Sequence, residues 1–252
     1  MRVSRNELTA VLRKAFEGLG FGTGEREDAA DMVAWLELHG LHGLSELGKA
    51  LAYLEREGSR RLQLRYSAPG LRVLDAEGAS ILCGGGIAVD TGIAMARADG
   101  LGVVRVDACH NRALTVGYLV RAARRGISVL ASWHNGADPG VRWVVAHGAG
   151  EVWPSVRLIQ PAGATDPAAG RHLTLWFSAD VDPKPELHAS VTGERVLLDA
   201  DPDTMARCYR DGIERGLAVD DAFWKQLQGL GRRVLVAAEF GSRDEAGGGA
   251  EG

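Results

Sequence analysis

The sequence predicts an α/β fold in which an N-terminal helical layer is followed by a mixed α/β sheet. Three observations carry this. Apolar positions in the first 58 residues repeat at helical spacing. From residue 62 onward, short runs rich in β-branched and aliphatic residues take over. These runs then alternate with helical stretches as strand, helix, strand, helix, strand, the pattern of a mixed or parallel sheet. The expected division is 1–58 for the helical segment, 59–241 for the α/β domain and 242–252 for a mobile, Gly-rich tail.

Ser4 followed by Glu7 forms a capping box: the hydroxyl accepts from the Glu7 N–H while the carboxylate reaches back. Leu8, Leu12, Ala15, Phe16 and Leu19 continue at helical spacing until glycines at 18, 20, 22 and 24 end the run. A second helix is expected from about Glu25 to His39 and a third from about Leu44 to Glu57. The runs 62–66, 71–74 and 81–83 read as strands, 87–99 as a small-residue helix, 103–106 as a strand, 113–125 as a helix and 127–131 as a strand. Glycines interrupt 136–172 and leave it without an assignment. Strands are expected at 172–179 and 195–198. A helix follows Asp201-Pro202-Asp203, another spans Asp220 to Leu230, and a last strand runs from Val234 to Ala237.

Composition narrows the function. Net charge is −4 with no basic block, which argues against nucleic acid as a partner. No apolar run has the length of a membrane span, and the N-terminus lacks the apolar core of a signal peptide, so a cytoplasmic protein is expected. Three scattered cysteines (Cys83, Cys109, Cys208) form neither a disulfide framework nor a metal-binding spacing, and no metal is expected. No G-x-G-x-x-G follows any expected strand, and no Walker, H-E-x-x-H or G-x-S-x-G motif occurs, which sets aside the ordinary Rossmann, P-loop and α/β-hydrolase enzymes. A small-molecule ligand is the expected partner.

Three constellations remain. In Glu37-Leu-His39-Gly40-Leu-His42-Gly43, two histidines sit at a helix break, where imidazole can exchange a proton near neutral pH. The plainer reading has His39 capping the helix before it and His42 serving the turn. Asp107-Ala-Cys109-His110-Asn111-Arg112 follows a strand, the usual place for ligand contacts in α/β proteins. The plainer reading there is a capped helix start. Cys109 is also weighed as a nucleophile, although adjacent Cys109 and His110 do not face one another. Ser132-Trp133-His134-Asn135 follows the next strand and opens a stretch holding four of the six tryptophans. Such rings either stack on a planar ligand or fill the core. Gly84-Gly85-Gly86, ahead of a helix, is either an anion site or a tight turn.

The order of these features resembles the type-2 malate/L-lactate dehydrogenase family. An N-terminal helical pair ends in a His-Gly turn, and a Gly-led helix rich in Ala and Met follows. Then come Gly100-Leu-Gly-Val-Val-Arg-Val-Asp107, a histidine, a helix with Gly117-Tyr118, and Arg125-Gly126-Ile127. That family carries roughly D-L-R-G-x-x-S-H-G-x-x-R around its catalytic histidine and binds NAD(P) without a Rossmann fingerprint. Glu37, Leu38 and Gly40 match its acidic, leucine and glycine positions. His42 and Gly43 match its His-Gly once two residues are deleted, and His110 matches its second histidine. The resemblance implies His42 and His110 as catalytic residues and NAD or NADP as cofactor. It places Asn111, Arg112, Trp133, His134 and Asn135 at the cofactor and implies a homodimer. Glu46 stands where the family has the arginine that pairs with substrate carboxylate, so malate and lactate are not the expected substrates.

A closer likeness is to a bacterial family of unassigned function whose members begin V-S-x-N-E and carry E-D-A-A, W-L and G-L-x-G-L. The counterparts here are Val3-Ser4-Arg5-Asn6-Glu7, Glu27-Asp28-Ala29-Ala30, Trp35-Leu36 and Gly40-Leu41-His42-Gly43-Leu44. Two functions are therefore expected to compete. One is an NAD(P)-dependent oxidoreductase acting on a small molecule. The other is a non-catalytic accessory or ligand-binding protein that kept the fold.

Overall fold

A computed structural model describes residues 1–135, 138, 140–160, 171–182 and 195–244. Three helices open the chain: α1 (Arg5–Gly18), α2 (Thr23–Leu38) and α3 (Gly43–Glu57). The predicted capping box at Ser4 is formed in both directions, with the Glu7 N–H to Ser4 Oγ at 3.2 Å and the Ser4 N–H to the Glu7 carboxylate at 2.7 Å. Leu8, Leu12, Ala15 and Phe16 form the buried stripe of α1. That stripe faces α2 and the long C-terminal helix α7 (Asp221–Asp244). The edge pair of β1 (Arg2–Val3) with β10 (Leu217–Ala218) also ties the N-terminus to the C-terminal part.

Among the described residues the sheet has eight strands in the order β2-β3-β4-β8-β5-β6-β7-β9. These are β2 (Gln63–Ala68), β3 (Leu71–Asp75), β4 (Leu101–Asp107), β5 (Ser128–His134), β6 (Arg142–His147), β7 (Ser155–Gln160), β8 (His172–Ser178) and β9 (Arg195–Ala200). Only β3 and β4 pair in parallel; the remaining neighbours are antiparallel. The mixed sheet expected from sequence is present. β4 and β5 are not neighbours, however, because β8 inserts antiparallel between them.

The helices α4 (Gly85–Asp99) and α5 (Val116–Arg124) cover the sheet, and α6 (Pro202–Arg215) leads back towards α2. Gly92 lets α4 lie directly on β8, since a Cβ there would fall 2.1 Å from the Phe177 ring. Between α2 and α5, the Tyr118 hydroxyl donates to Asp28 at 3.1 Å and the Arg121 guanidinium lies 4.0 Å from the Tyr118 ring centre. Burial raises the Asp28 carboxyl above its ordinary pKa, against the lowering pull of Arg121.

Two expected strands take another form. Ile81–Cys83 is a 3-10 turn capped by Ser80, whose Oγ accepts from the Leu82 N–H at 3.4 Å, too short a run to pair along a ladder. Val234 to Ala237 lies within α7, where Val234 follows the buried Leu227 and Leu230 at helical spacing. The glycine-rich stretch left unassigned supplies β6 and β7. Of the predicted tail, residues 242–244 continue α7, and 245–252 lie outside the described residues.

Candidate functional site

The end of β4 runs alongside the segment after β3, and this pairing builds one wall of a cleft. Ala76 N–H donates to the Asp107 carbonyl at 2.9 Å, Gly78 N–H to Ala108 at 2.8 Å, and His110 N–H to Ala79 at 3.0 Å. Ala108 and Asn111 both take left-handed backbone conformations (φ 50° and 57°), uncommon for residues with a side chain. The resulting turn buries Cys109 and leaves His110 exposed.

Arg112 closes the turn from within. It is 7% exposed, and its guanidinium donates to the Cys109 carbonyl at 2.5 Å and to the His134 carbonyl at 2.8 Å. The ends of β4 and β5 are thus joined by one planar group. Beyond β5, the cross-strand partners Trp133 and Trp143 stack with ring centres 5.8 Å apart and planes 10° from parallel. The facing wall is α3. There Glu46, Lys49 and Tyr53 fall on one stripe by their three- and four-residue spacing. Tyr53 stacks on His110 at 5.0 Å, with planes 8° apart, and Lys49 pairs with Glu46 at 2.5 Å.

These groups enclose a cleft of about 900 Å³, to which Arg171 and Asn135 also contribute. That volume lies within the range of small-molecule and cofactor sites, ~300–1,000 Å³. Its cations are Lys49, Arg112 and Arg171 and, among the described lining residues, Glu46 is the acid. Asn111 Oδ1 is buried without a hydrogen-bond partner. Burial pushes the Cys109 thiol up to about 11 against the opposing pull of Arg112, so it stays protonated and the nucleophile reading loses its thiolate. At the start of β8, His172 is held below its usual range by burial first and by Arg105 second.

The structure thus brings His110, Asn111, Arg112, Trp133 and Asn135 to one cleft. His134 enters through its carbonyl, held by Arg112. His42 stands apart from the cleft lining as the exposed N-terminal cap of α3, left-handed at φ 55° and with no side-chain capping bond. It precedes Glu46 by four residues and so sits at the end of the same α3 stripe. Lys49, Tyr53 and Arg171 escaped the sequence reading. The three- and four-residue spacing puts Glu46, Lys49 and Tyr53 on one helix face, but not against the strand ends that make them cleft residues. Gly43 accommodates backbone: a Cβ there would lie 2.1 Å from the Val33 carbonyl oxygen of α2. The Gly84–Gly86 triplet is buried as the turn into α4. His39 caps α2, its ring Nδ1 donating to the Trp35 carbonyl at 2.5 Å.

Among the described residues no helix is long and apolar enough to cross a membrane, and no cluster of three or more His, Cys, Asp or Glu side chains is placed to hold a metal. No curated protein matches the chain. Solved structures share its fold at low identity. A dehydrogenase from Sinorhizobium meliloti superposes with a TM-score of 0.66 at 13% identity, over 92% of this chain and 99% of that one. A putative malate/lactate dehydrogenase from E. coli gives 0.65 at 12%, over 93% and 95%. A delta1-piperideine-2-carboxylate reductase from Pseudomonas syringae pvar. tomato gives 0.60 at 14%, over 91% and 99%. Residues 3–80 match the family model described as "Protein of unknown function (DUF3726)". The N-terminal part therefore carries the pattern of that family, and the chain as a whole has a malate/lactate dehydrogenase-like fold.

Proposed function

We propose that the protein is an NAD(P)-dependent oxidoreductase whose cleft takes the nucleotide together with a small molecule other than malate or lactate. One observation carries the reading: two stacked aromatic pairs, Tyr53–His110 and Trp133–Trp143, face a common space with three cations. Flat rings and phosphates are the two things such a lining accepts. The unpartnered Asn111 Oδ1 suits an amide N–H, so the residues present fit a nicotinamide nucleotide.

A bound nicotinamide supplies or accepts a hydride. The chain's own residues do the remainder. Tyr53 holds the His110 imidazole flat against its ring, orienting a group that gives or takes the substrate proton at a ring nitrogen. His42, at the head of the α3 stripe, is the second proton-transfer candidate. Lys49 and Arg171 neutralise ligand anions, and Arg112 keeps the two strand ends together so that the aromatic walls hold their spacing. Glu46 repels a carboxylate placed where a 2-oxo acid would put it, which points to a substrate carrying a neutral or cationic group there. The reading brings with it a homodimer, checked by sedimentation.

The Glu46–Lys49 pair favours the second reading, a non-catalytic ligand-binding or accessory protein, because it offsets a cation the ligand would use. Titration with NADH and NADPH separates the two. Tryptophan emission is expected to transfer to the bound reduced nucleotide, and the melting temperature to rise by about 3 °C at tenfold excess over Kd. An unchanged melting curve at millimolar NADH and NADPH overturns the oxidoreductase reading. Binding without turnover, with a cellular phenotype untouched by His42→Ala and His110→Ala, leaves the accessory one.

A further inference from the structure

A second pocket lies away from the cleft, where α1, α2, α5 and α6 converge near Trp153. Its volume is about 130 Å³. A closed cavity of roughly 150 Å³ holds one benzene ring, so this smaller space seats at most the ring of a ligand, and any further substituent projects past its mouth to the exposed side chains.

His39 gives the pocket its chemistry. The side chain is 3% exposed, stacked on Trp35 with ring centres 3.9 Å apart, and near Tyr209 (5.5 Å) and Trp153 (4.8 Å). Nδ1 faces the Trp35 carbonyl at 2.5 Å, and a carbonyl only accepts, so Nδ1 carries the hydrogen. Burial holds the ring neutral, its pKa lowered to about 4. Nε2 therefore bears a lone pair, and it is buried with no hydrogen-bond partner. An acceptor left this way costs about 1–3 kcal/mol, which a donor entering the pocket would recover.

The lining carries three guanidiniums, Arg5, Arg121 and Arg124, against the Asp31 carboxylate, with Asp28 just behind. Arg121 lies 3.1 Å from Asp28 and 3.5 Å from Asp31, so its charge is compensated. Arg5 and Arg124 are exposed at the same pocket, both act on His39, and neither is paired with a carboxylate among the described residues. The lining thus combines a buried acceptor, ring surfaces and two guanidiniums, Arg5 and Arg124, with no carboxylate partner among the described residues, a cationic excess over the Asp31 carboxylate that Arg121 holds. Water would satisfy the acceptor alone. It would use neither the rings nor the cations.

We propose that this pocket is a binding site for a small hydroxylated aromatic acid, its hydroxyl donating to His39 Nε2, its ring against Trp153 and Tyr209, and its carboxylate at Arg5 and Arg124. The site is separate from the cleft that carries the proposed oxidoreductase reading and does not depend on it.

4-Hydroxybenzoate is the probe, with benzoate and phenol as controls that each lack one of the two polar groups. The full-length chain, labelled with ¹⁵N in its imidazoles, is titrated at pH 7 and followed by NMR and by calorimetry. The expected result is saturable binding with a shift of the His39 Nε2 resonance. Affinity for each control should be lower by about tenfold, the worth of one charge-assisted or buried hydrogen bond. Arg124→Gln and Arg5→Gln change exposed side chains and leave the fold intact; each is expected to weaken 4-hydroxybenzoate about tenfold and to leave phenol unaffected. No saturable binding at 10 mM (roughly the weakest affinity worth calling a site) overturns the proposal. So does binding equal for all three probes, or a response confined to Trp133 and Trp143 in the cleft.

Discussion

The guanidinium of Arg112 donates to the His134 carbonyl at 2.8 Å, bridging the ends of two strands that are separated in the sheet by β8. The second bond, to the Cys109 carbonyl at 2.5 Å, makes it a two-point clamp from a buried position. Lysine carries the same charge but a single compact ammonium, which cannot span both carbonyls. Arg112→Lys is expected to lose about 2–4 kcal/mol of stability in urea denaturation, as charged hydrogen bonds of ~1.5–3 kcal/mol are broken in the interior. Near-UV circular dichroism should change with it, because the Trp133–Trp143 stack stands at the end of the same strand. An unchanged spectrum and urea midpoint would refute the clamp.

Gly43 tests how α3 is placed. Its missing Cβ makes room for the Val33 carbonyl and the Glu37 N–H of α2, and Glu37 in turn accepts from the Leu44 N–H at 2.9 Å. Since backbone atoms cannot step aside as a flexible side chain can, Gly43→Ala is expected to cost about 3 kcal/mol. It should also shift the Tyr53–His110 stack, seen in the chemical shifts of the two rings. Gly48→Ala, with 3.7 Å to the Phe223 ring, is the matched control and is expected to be tolerated.

This glycine shows where local reading succeeds and where it stops. The Ser4–Glu7 box was legible because both partners lie within four residues, and the segments at His110 and His134 were legible as turns closing apolar strand runs. The His-Gly pair at 42–43 was legible as a special position, but its reason was not, since the atoms Gly43 must avoid belong to Val33 and Glu37 of another helix. Val234-Leu235-Val236-Ala237 imitates a strand in composition, while its helical state follows from a stripe that begins at Leu227 and faces α1. Lys49 and Tyr53 became cleft residues only when α3 was laid across the ends of β4 and β5, a tertiary fact absent from spacing alone.

His39 sets a pH dependence of stability. Its folded pKa lies near 4, lowered by burial and by Arg5 and Arg124, against 6.5 for the free ring. Below about pH 6.5 the unfolded chain takes up a proton that the folded chain refuses, so stability is full above that pH and declines as pH falls. The decline ends near pH 4, where the folded ring itself protonates. The loss over this window amounts to about 3 kcal/mol. His39→Phe keeps a ring against Trp35 and removes the titration, so its urea midpoint should show less pH dependence than the wild type between pH 4 and 6.5. Parallel curves for the two proteins would contradict the assignment.

The cysteines differ in access. Cys83 and Cys109 are buried, and Cys109 is additionally held in its thiol form, whereas Cys208 is half-buried on α6. Iodoacetamide at pH 8 is expected to label Cys208 first and to reach Cys83 and Cys109 only on unfolding. Fast labelling of Cys109 in the native protein, located by peptide mass spectrometry, would restore the nucleophile reading.

Glu46 decides how anionic a ligand the cleft accepts. Its carboxylate pairs with Lys49 at 2.5 Å on the wall opposite Arg112, so it offsets charge that a phosphate or carboxylate would otherwise meet. Removing it frees Lys49 without altering the shape of α3, because Glu46 is a side-chain partner of Lys49 within the same helix. Glu46→Gln is expected to tighten NADPH binding about three- to tenfold at low salt, and the gain should shrink in 0.5 M NaCl as the Debye length falls to about 4 Å. A salt-independent gain would point to a direct hydrogen bond from the new amide. No gain at any salt would mean that the nucleotide's phosphates do not approach α3, and would move their expected contacts to Arg171, the cleft's other exposed cation.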